Sequence, residues 1–390
     1  MHPSKHTPLA LAALSAAAVL TAACSGSSEV GASESTLRVT TFARGLAYPW
    51  GLAFLPDGGL LVTEKPGRLR HVDAQGRLSA AIEGVPAVSY GGQGGLLDVA
   101  TDPDFAHNRR VYLSYAEAEH GSKGTAVARA VLSADHRRLG NLVVIFRQRP
   151  KLAGNGHFGG RLVFAPDGTL FVTLGERQRD GDRPGDSKEA QDLGSHLGKI
   201  VRIGTDGSVP PDNPFVDRDG ALPEIWSYGH RNPQGAAIHP ASGELWAVEH
   251  GPQGGDELNI VRKGRNYGWP LISYGCNYGS LSSDCTPVGG GSERPGLEQP
   301  VTTWVPRSTA PSGLAFYQHG RVPAWRGDAF VGALAGRGLW HLELEGARVR
   351  ARTHLLTDLD ERIRDVRQGP DGLLYVLTDA ADGRILQISR

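Results

Sequence analysis

The densest set of groups able to bind or to move protons runs from Ile225 to Pro270, IWSYGHRNPQGAAIHPASGELWAVEHGPQGGDELNIVRKGRNYGWP. His230, Arg231, Asn232, Gln234, Glu249, His250, Asp256, Glu257 and Asn266 stand there among glycines and prolines. Arg231 can hold a carboxylate or polarise a carbonyl oxygen. The run VEHGPQGGDELN offers backbone carbonyls at Gly251 and Pro252 and carboxylates at Asp256 and Glu257. Hard oxygen donors at that density suit calcium. No Cys/His spacing suggests zinc, and no GxGxxG unit follows a strand to cradle phosphate.

Three further loops carry reactive types. In SYGGQGG, Gln93 is a neutral donor and acceptor among glycines that let a ligand approach the backbone. In LAGNGHFGGRL, His157 lies just ahead of an apolar run, and histidine is the side chain best suited to removing a proton near neutral pH. Downstream, LGERQRDGD places Glu176 where a carboxylate can orient an imidazole. In ERIRDV, Arg362 and Arg364 alternate, so a strand would put them on one side, where paired like charges favour an anionic partner. Each of these has a plainer reading. Turns are polar because they face water, a glycine run is a turn, a lone histidine is usually structural, and arginines decorate strand edges.

The positioning elements are short strands. Ala236 to Ile238, Glu244 to Val248 and Leu258 to Val261 are apolar runs separated by polar turns. The same pattern of apolar strand, turn (often Pro-Asp-Gly), alternating strand and third strand starts at Gly51, Gly95, Gly160, Gly235, Gly313 and Arg364. One such sheet cannot bury both faces alone, and packing copies around an axis buries them. Six copies predict an all-β, six-bladed propeller of four-stranded antiparallel sheets. Thr36 to Ala43 has no partner nearby in sequence and is expected to close the ring by joining the last blade. A pair of β-sandwiches is the alternative. Gln191 to Lys199 reads as a short helix or turn in an insertion.

The chain of 390 residues has zero formal net charge, which argues against a nucleic-acid or polybasic membrane-surface protein. Its 53 glycines are roughly twice the usual share of about 7%. Leu9 to Leu20 is apolar but too short to span a bilayer, and Leu-Thr-Ala-Ala-Cys24 resembles a bacterial lipoprotein signal, with leucine one place further from the cysteine than usual. The division expected is 1–23 signal peptide, 24–36 flexible tether and 37–390 propeller. Export to the periplasmic face of the membrane, or secretion, is the expected location. In that oxidising compartment Cys276 and Cys285 are either a disulfide or two free thiols.

Taken together, YGHRNPQG, EHGPQGGDELN, NYGWP, HFGGRLVFAPDG and RIRDV resemble the soluble glucose/sorbosone dehydrogenase family, whose members depend on pyrroloquinoline quinone (PQQ). The resemblance covers roughly residues 38–390. It implies a six-bladed propeller holding PQQ and calcium on its axis, and oxidation of an aldose at the anomeric carbon, with electrons passed to an external acceptor such as a quinone or cytochrome. Carried over by position, His157 would be the general base, oriented by Glu176. Arg231 would stabilise charge on a quinone oxygen, with Asn232 beside it. The carbonyls of Gly251 and Pro252 would hold calcium, and Glu257 with the Tyr267 carbonyl a second, structural calcium. Arg362 and Arg364 would meet the carboxylates of PQQ, and Gln93 would hydrogen-bond near the sugar. This chain departs from the family pattern in three places: Gly156 precedes the histidine where some members have Asp, Glu176 stands for an Asp, and Arg337 stands near an expected lysine. Two other classes fit parts of the pattern. A calcium-dependent lactone hydrolase would need several axial side-chain carboxylates, and a non-catalytic glycan- or protein-binding lipoprotein would tolerate loss of His157 and Arg231.

Overall fold

The computed structural model describes residues 37–280 and 285–390. The expected signal peptide, tether and acylated Cys24 lie outside the described residues. Among those residues, no helix is long and apolar enough to cross a membrane.

Among the described residues, twenty-four strands form six four-stranded antiparallel sheets. β1 (Arg38–Leu46) comes first. Blade 1 is β2 (Pro49–Phe54), β3 (Leu60–Glu64), β4 (Arg68–Val72) and β5 (Leu78–Ala81). Blade 2 is β6 (Leu96–Thr101), β7 (Arg110–Glu119), β8 (Ser122–Leu132) and β9 (Leu139–Arg147). Blade 3 is β10 (Leu162–Phe164), β11 (Leu170–Leu174), β12 (Lys199–Ile203) and β13 (Ile225–Tyr228). Blade 4 is β14 (Pro233–Ile238), β15 (Leu245–Glu249), β16 (Asp256–Val261) and β17 (Thr302–Trp304). Blade 5 is β18 (Pro311–Phe316), β19 (Ala329–Ala333), β20 (Gly338–Glu345) and β21 (Arg348–Leu355). Blade 6 is β22 (Ile363–Gln368), β23 (Leu374–Thr378) and β24 (Gly383–Ser389).

The sixth sheet runs β1-β24-β23-β22, with Arg38 opposite Ser389 and Leu46 opposite Gly383. The N-terminal strand therefore supplies the missing outer strand of the last blade, and the ring closes as the repeat count requires. The first strands of the six repeats are the innermost strands of the six sheets. Gln191–Lys199 is not one turn: a 3₁₀ turn occupies Glu189–Gln191, and Lys199 already opens β12.

Burial follows the boundaries between blades. Each of the six interfaces has its own apolar cluster, for example Trp246, Val248 and Leu258 of blade 4 against Leu314, Phe316 and Val331 of blade 5. Hydroxyls stitch neighbouring blades. Thr173 Oγ donates to the Pro233 carbonyl at 2.8 Å, and Ser312 Oγ to the Arg364 carbonyl at 2.8 Å. Nearer the axis, buried Arg161 pairs with Asp98 at 3.0 Å and with Asp365 at 3.1 Å, while Arg367 reaches Asp365 at 3.1 Å. Buried charges of this kind cost desolvation and persist only when paired. This network fixes blades 2, 3 and 6 to one another around the axis.

Candidate active site

The loops entering the inner strands converge at one mouth of the ring, and the ends of the second strands reach the same place. His157 lies in the approach to β10 with φ 46°, a left-handed backbone uncommon for a side chain of this size. Its amide donates to Gln93 Oε1 at 2.8 Å. Its ring Nδ1 meets Glu176 Oε1, and both side chains are buried. Glu176 Oε2 accepts from the Arg179 and Asp180 amides at 2.5 and 2.9 Å. Burial pushes the Glu176 carboxyl up, but the bond to His157 and the Arg231 charge outweigh it, and the net shift is downward. An ionised Glu176 requires Nδ1 to carry a proton. Nε2 is left as an unprotonated lone pair with no hydrogen-bond partner. Burial, then Arg231, hold the His157 imidazolium below its ordinary range despite Glu176.

Gly156 is filled from elsewhere: a Cβ there would collide with Gln178 Oε1. The Gln178 side chain thus occupies the place that a residue larger than glycine would need.

Arg231 is held from both ends. Its amide donates to Glu249 Oε2 at 2.7 Å, and Nη1 donates to the carbonyls of His250 at 3.1 Å and Gly251 at 2.5 Å. The guanidinium lies 5.1 Å from the Trp269 ring, and its buried Nε has no protein partner. Asn232 sits beside it, its Oδ1 accepting from the Gly159 amide at 3.1 Å and its Nδ2 donating to Gln93 Oε1 at 3.4 Å. Gln93, His157, Asn232 and Arg231 are thereby brought together from three blades.

Gly251, Pro252, Glu257 and Tyr267 all line one small cavity of about 20 Å³, with Glu249, Gly255 and Ser273 also in its wall. The sequence assigned them to two separate sites; the fold gathers them around one. A void of this size holds about one water or one bare ion. Glu257 is only partly buried by surface, yet its residual surface opens onto this cavity. Burial, then the neighbouring Glu249, push its carboxyl up to about 8. Arg231, Trp269 and Ile272 complete the wall, and the carboxylates of Glu249 and Glu257 with the nearby backbone carbonyls are the hard oxygen donors that a divalent cation such as calcium takes. Asp256, by contrast, is committed to the backbone: it accepts from the amides of Gly251, Thr309 and Ala310 at 2.8, 2.6 and 2.8 Å. It shapes the loop and is not free to bind metal. The Gly251 carbonyl already accepts from Arg231 and the Pro252 carbonyl from Ser308 Oγ at 3.1 Å, so a cation there would share or displace these bonds. The loop is pinned where Gln253 pairs with Cys276, itself bridged to Cys285, and where Gly255 crosses Gly275 so closely that a Cβ on Gly255 would collide with the Gly275 nitrogen.

Across the mouth, Arg362 and Arg364 both bond Asp379 Oδ2, at 3.2 and 3.0 Å. They do so from different settings. Arg362 precedes β22 and is 41% exposed, whereas Arg364 lies within the strand and is 5% exposed. Arg337 does not join them. It sits on the turn before β20 with φ 51°, half exposed, and pairs with Asp360 at 2.8 Å. The cation that does join the cluster is Lys65, which the sequence reading missed. Its ammonium donates to the Gly92 carbonyl at 3.1 Å, and burial, then Arg364, lower its pKa while Asp379 opposes them. Three cations thus face one carboxylate, and the buried Arg364 Nε and Asp379 Oδ1 have no protein partner. This excess positive charge and these unmet polar atoms suit a ligand bearing several carboxylates.

The Glucose / Sorbosone dehydrogenase family matches residues 46–387. The aldose sugar dehydrogenase YliI of Escherichia coli (strain K12) is 48% identical over 365 residues, covering 93% of this chain and 95% of that protein. The crystal structure of the soluble aldose sugar dehydrogenase from Escherichia coli in the apo-form superposes with a TM-score of 0.84 at 47% identity, over 91% of this chain and 99% of that one. The PQQ-bound form of aldose sugar dehydrogenase from Streptomyces coelicolor gives a TM-score of 0.73 at 32% identity, over 91% of this chain and 99% of that one.

Proposed function

This chain belongs to the glucose/sorbosone dehydrogenase family, and we propose that it oxidises aldose sugars at the anomeric carbon to lactones with PQQ as cofactor. One observation carries the reading: a buried imidazole whose Nδ1 is committed to an ionised carboxylate, with its Nε2 lone pair free, close enough to a buried guanidinium to feel its charge. That is the arrangement a hydroxyl needs if it is to lose a proton while hydride leaves the same carbon.

His157 Nε2 accepts the hydroxyl proton, and the resulting imidazolium is stabilised by Glu176, which keeps its own charge because two backbone amides hold Oε2. Gln93 and Asn232 fix the His157 backbone and the neighbouring strand entry, so the base does not drift. Lys65, Arg362 and Arg364 would hold the cofactor's carboxylates. Arg231 would present its guanidinium to the opposite end, steadied by Trp269 and by the carbonyls of the Gly251 loop. Bound there, PQQ would supply the hydride acceptor, and Gly251, Pro252, Glu257 or Tyr267 would hold a calcium ion that supplies positive charge. An external acceptor, a quinone or a cytochrome, would reoxidise the cofactor.

The lactone-hydrolase reading loses its main requirement, because the axial carboxylates Asp98 and Asp365 are neutralised by Arg161 and Arg367. The test is reconstitution. Purified protein stripped of metal receives PQQ and calcium, then a panel of aldoses and a redox dye. Dye reduction that needs both additions supports the assignment. Lactone hydrolysis without PQQ, or stoichiometric PQQ binding with no aldose oxidation across the panel, overturns it.

A further inference from the structure

The mouth described above accounts for one face of the ring. On the opposite face, at the boundary between blades 1 and 2, three metal-ligating side chains meet that this chemistry does not use. Asp57 lies in the β2–β3 turn, His71 on β4, and His136 in the β8–β9 turn of the next blade. One ligand atom from each falls within 4.8 Å of the other two. His136 Nε2 stands 3.6 Å from Asp57 Oδ2, and the two imidazole rings are 4.4 Å apart between centroids, tilted by 50°.

The 3.6 Å between His136 and Asp57 matches what a small cation imposes, and His71 lies close enough to complete the set. Two donors on one zinc ion, each bonded at about 2.0–2.2 Å, stand roughly 3.2–3.6 Å apart in a tetrahedral shell. His71 Nε2 is buried and has no hydrogen-bond partner, a cost that a bound cation would remove. Hydrogen bonding does not explain why the rings converge, since none joins them. Asp57 Oδ1 is spoken for, accepting from the Gly59 amide at 3.0 Å, which leaves Oδ2 to face His136. The left-handed backbone at His136, φ 58°, brings its ring back over blade 1.

We propose that Asp57, His71 and His136 form a binding site for a divalent transition cation of the zinc class, clipping the outer turns of blades 1 and 2 together. Two imidazoles and a carboxylate suit zinc over calcium, and three protein ligands leave one position for water. Sequence spacing gives no hint of it, because the ligands come from separate turns in two blades.

The experiment is zinc titration of the full chain with calcium in excess, followed by calorimetry and by melting temperature. Wild type should bind zinc saturably, and its melting temperature should rise with zinc, because the ion binds only the folded state. Asp57→Asn keeps the turn through its remaining oxygen, and His136→Asn suits the left-handed backbone. Each should weaken zinc by about tenfold or more and abolish the rise, with calcium-dependent melting unchanged as the check on folding. Cobalt should give the visible absorption of a four-coordinate site in wild type and lose it in both variants. No saturable zinc in wild type, or saturable zinc that survives both substitutions, overturns the site.

Discussion

Glu176→Gln is the most informative single change, because the hydrogen bonds around Glu176 dictate what a glutamine there must do. Oε1 faces His157 Nδ1, and Oε2 faces two donors, the amides of Arg179 and Asp180. If the new amide nitrogen turns toward those backbone amides, two buried donors lose their acceptor, at about 1–3 kcal/mol each. If it turns toward His157, Nδ1 must accept, and the ring proton moves to Nε2. The second arrangement is preferred by about 2 kcal/mol or more, so the productive tautomer falls to roughly one in thirty or less. The base is then already protonated at the atom that should take the sugar's proton. The kcat with saturating aldose and PQQ should fall by at least about 30-fold, within the 100- to 10,000-fold range of a lost base once the missing charge is included. Glu176→Ala frees the ring to take either tautomer and should retain more turnover than Glu176→Gln, although it removes more atoms. Dye-coupled initial rates measure kcat, PQQ titration checks that the cofactor still binds, and nitrogen-15 spectra of histidine report the tautomer. A Glu176→Gln enzyme within about threefold of wild type, or one slower than Glu176→Ala only because it binds PQQ poorly, would refute the reasoning.

Three further outcomes rest on the same geometry. His157 acts only when unprotonated and its pKa is lowered, burial first and Arg231 second, so kcat/KM should hold as pH falls to 6.5 and drop only below it; an acid limb above 6.5 in the free enzyme contradicts His157 as the base. Lys65→Ala and Arg364→Ala should weaken PQQ in a fluorescence titration by about tenfold or more each, as expected when a charge-assisted hydrogen bond worth about 1.5–3 kcal/mol is lost, whereas Arg337→Ala should leave PQQ affinity unchanged; the reverse order would place the cofactor elsewhere. Exhaustive chelation should lower the melting temperature, calcium should restore it, and Glu257→Gln should remove that response, measured by scanning calorimetry; a calcium response intact in Glu257→Gln would move the ion out of this cavity.

The fold was legible because it repeats. A glycine or charged residue at the start of each apolar run and a turn at its end recur six times, and every one of those runs became an innermost strand. Thr36 to Ala43 declared itself by lacking a partner, and β1 found it at the far end of the chain in β24. The site was half legible. His157, Arg231 and Arg362 stand on the short approaches to inner strands, and a propeller leaves such approaches only one place to go. Arg337 misled because its register in the repeat is right while its local charge balance is not: Asp360, 23 residues on, captures it at the rim. Asp256 misled in the opposite way. An acid among glycines reads as a metal ligand, but a loop this tight leaves backbone amides that need an acceptor, and Asp256 takes three of them.

Lys65 and Asp379 were missed because the copies were aligned on their first strands. Aligned on their second strands, LLVTEK, LFVTLGE, LWAVEH and LYVLTD end in Lys65, Glu176, His250 and Asp379. β3, β11, β15 and β23 stop one or two residues earlier, and strand polarity delivers these four side chains to the same mouth as the approaches to the inner strands. The pairing is then blade by blade. In blade 3, His157 on the approach meets Glu176 at the second-strand end. In blade 4, Arg231 meets the carbonyl of His250. In blade 6, Arg362 and Arg364 meet Asp379. In blade 1, the Lys65 amide donates to the Tyr48 carbonyl and its ammonium lies 5.5 Å from the Tyr48 ring. Each of these groups therefore has a partner within its own blade, while bonds such as Lys65 to Gly92 and Arg364 to Gln234 assemble the site between blades. Rigid two-strand units set the direction of each group, and packing around the axis sets the distances between them. A substitution at a second-strand end should accordingly disturb the groups that this end holds, one histidine for Glu176 and two arginines for Asp379, whereas one in an apolar interface between blades should shift all of them together.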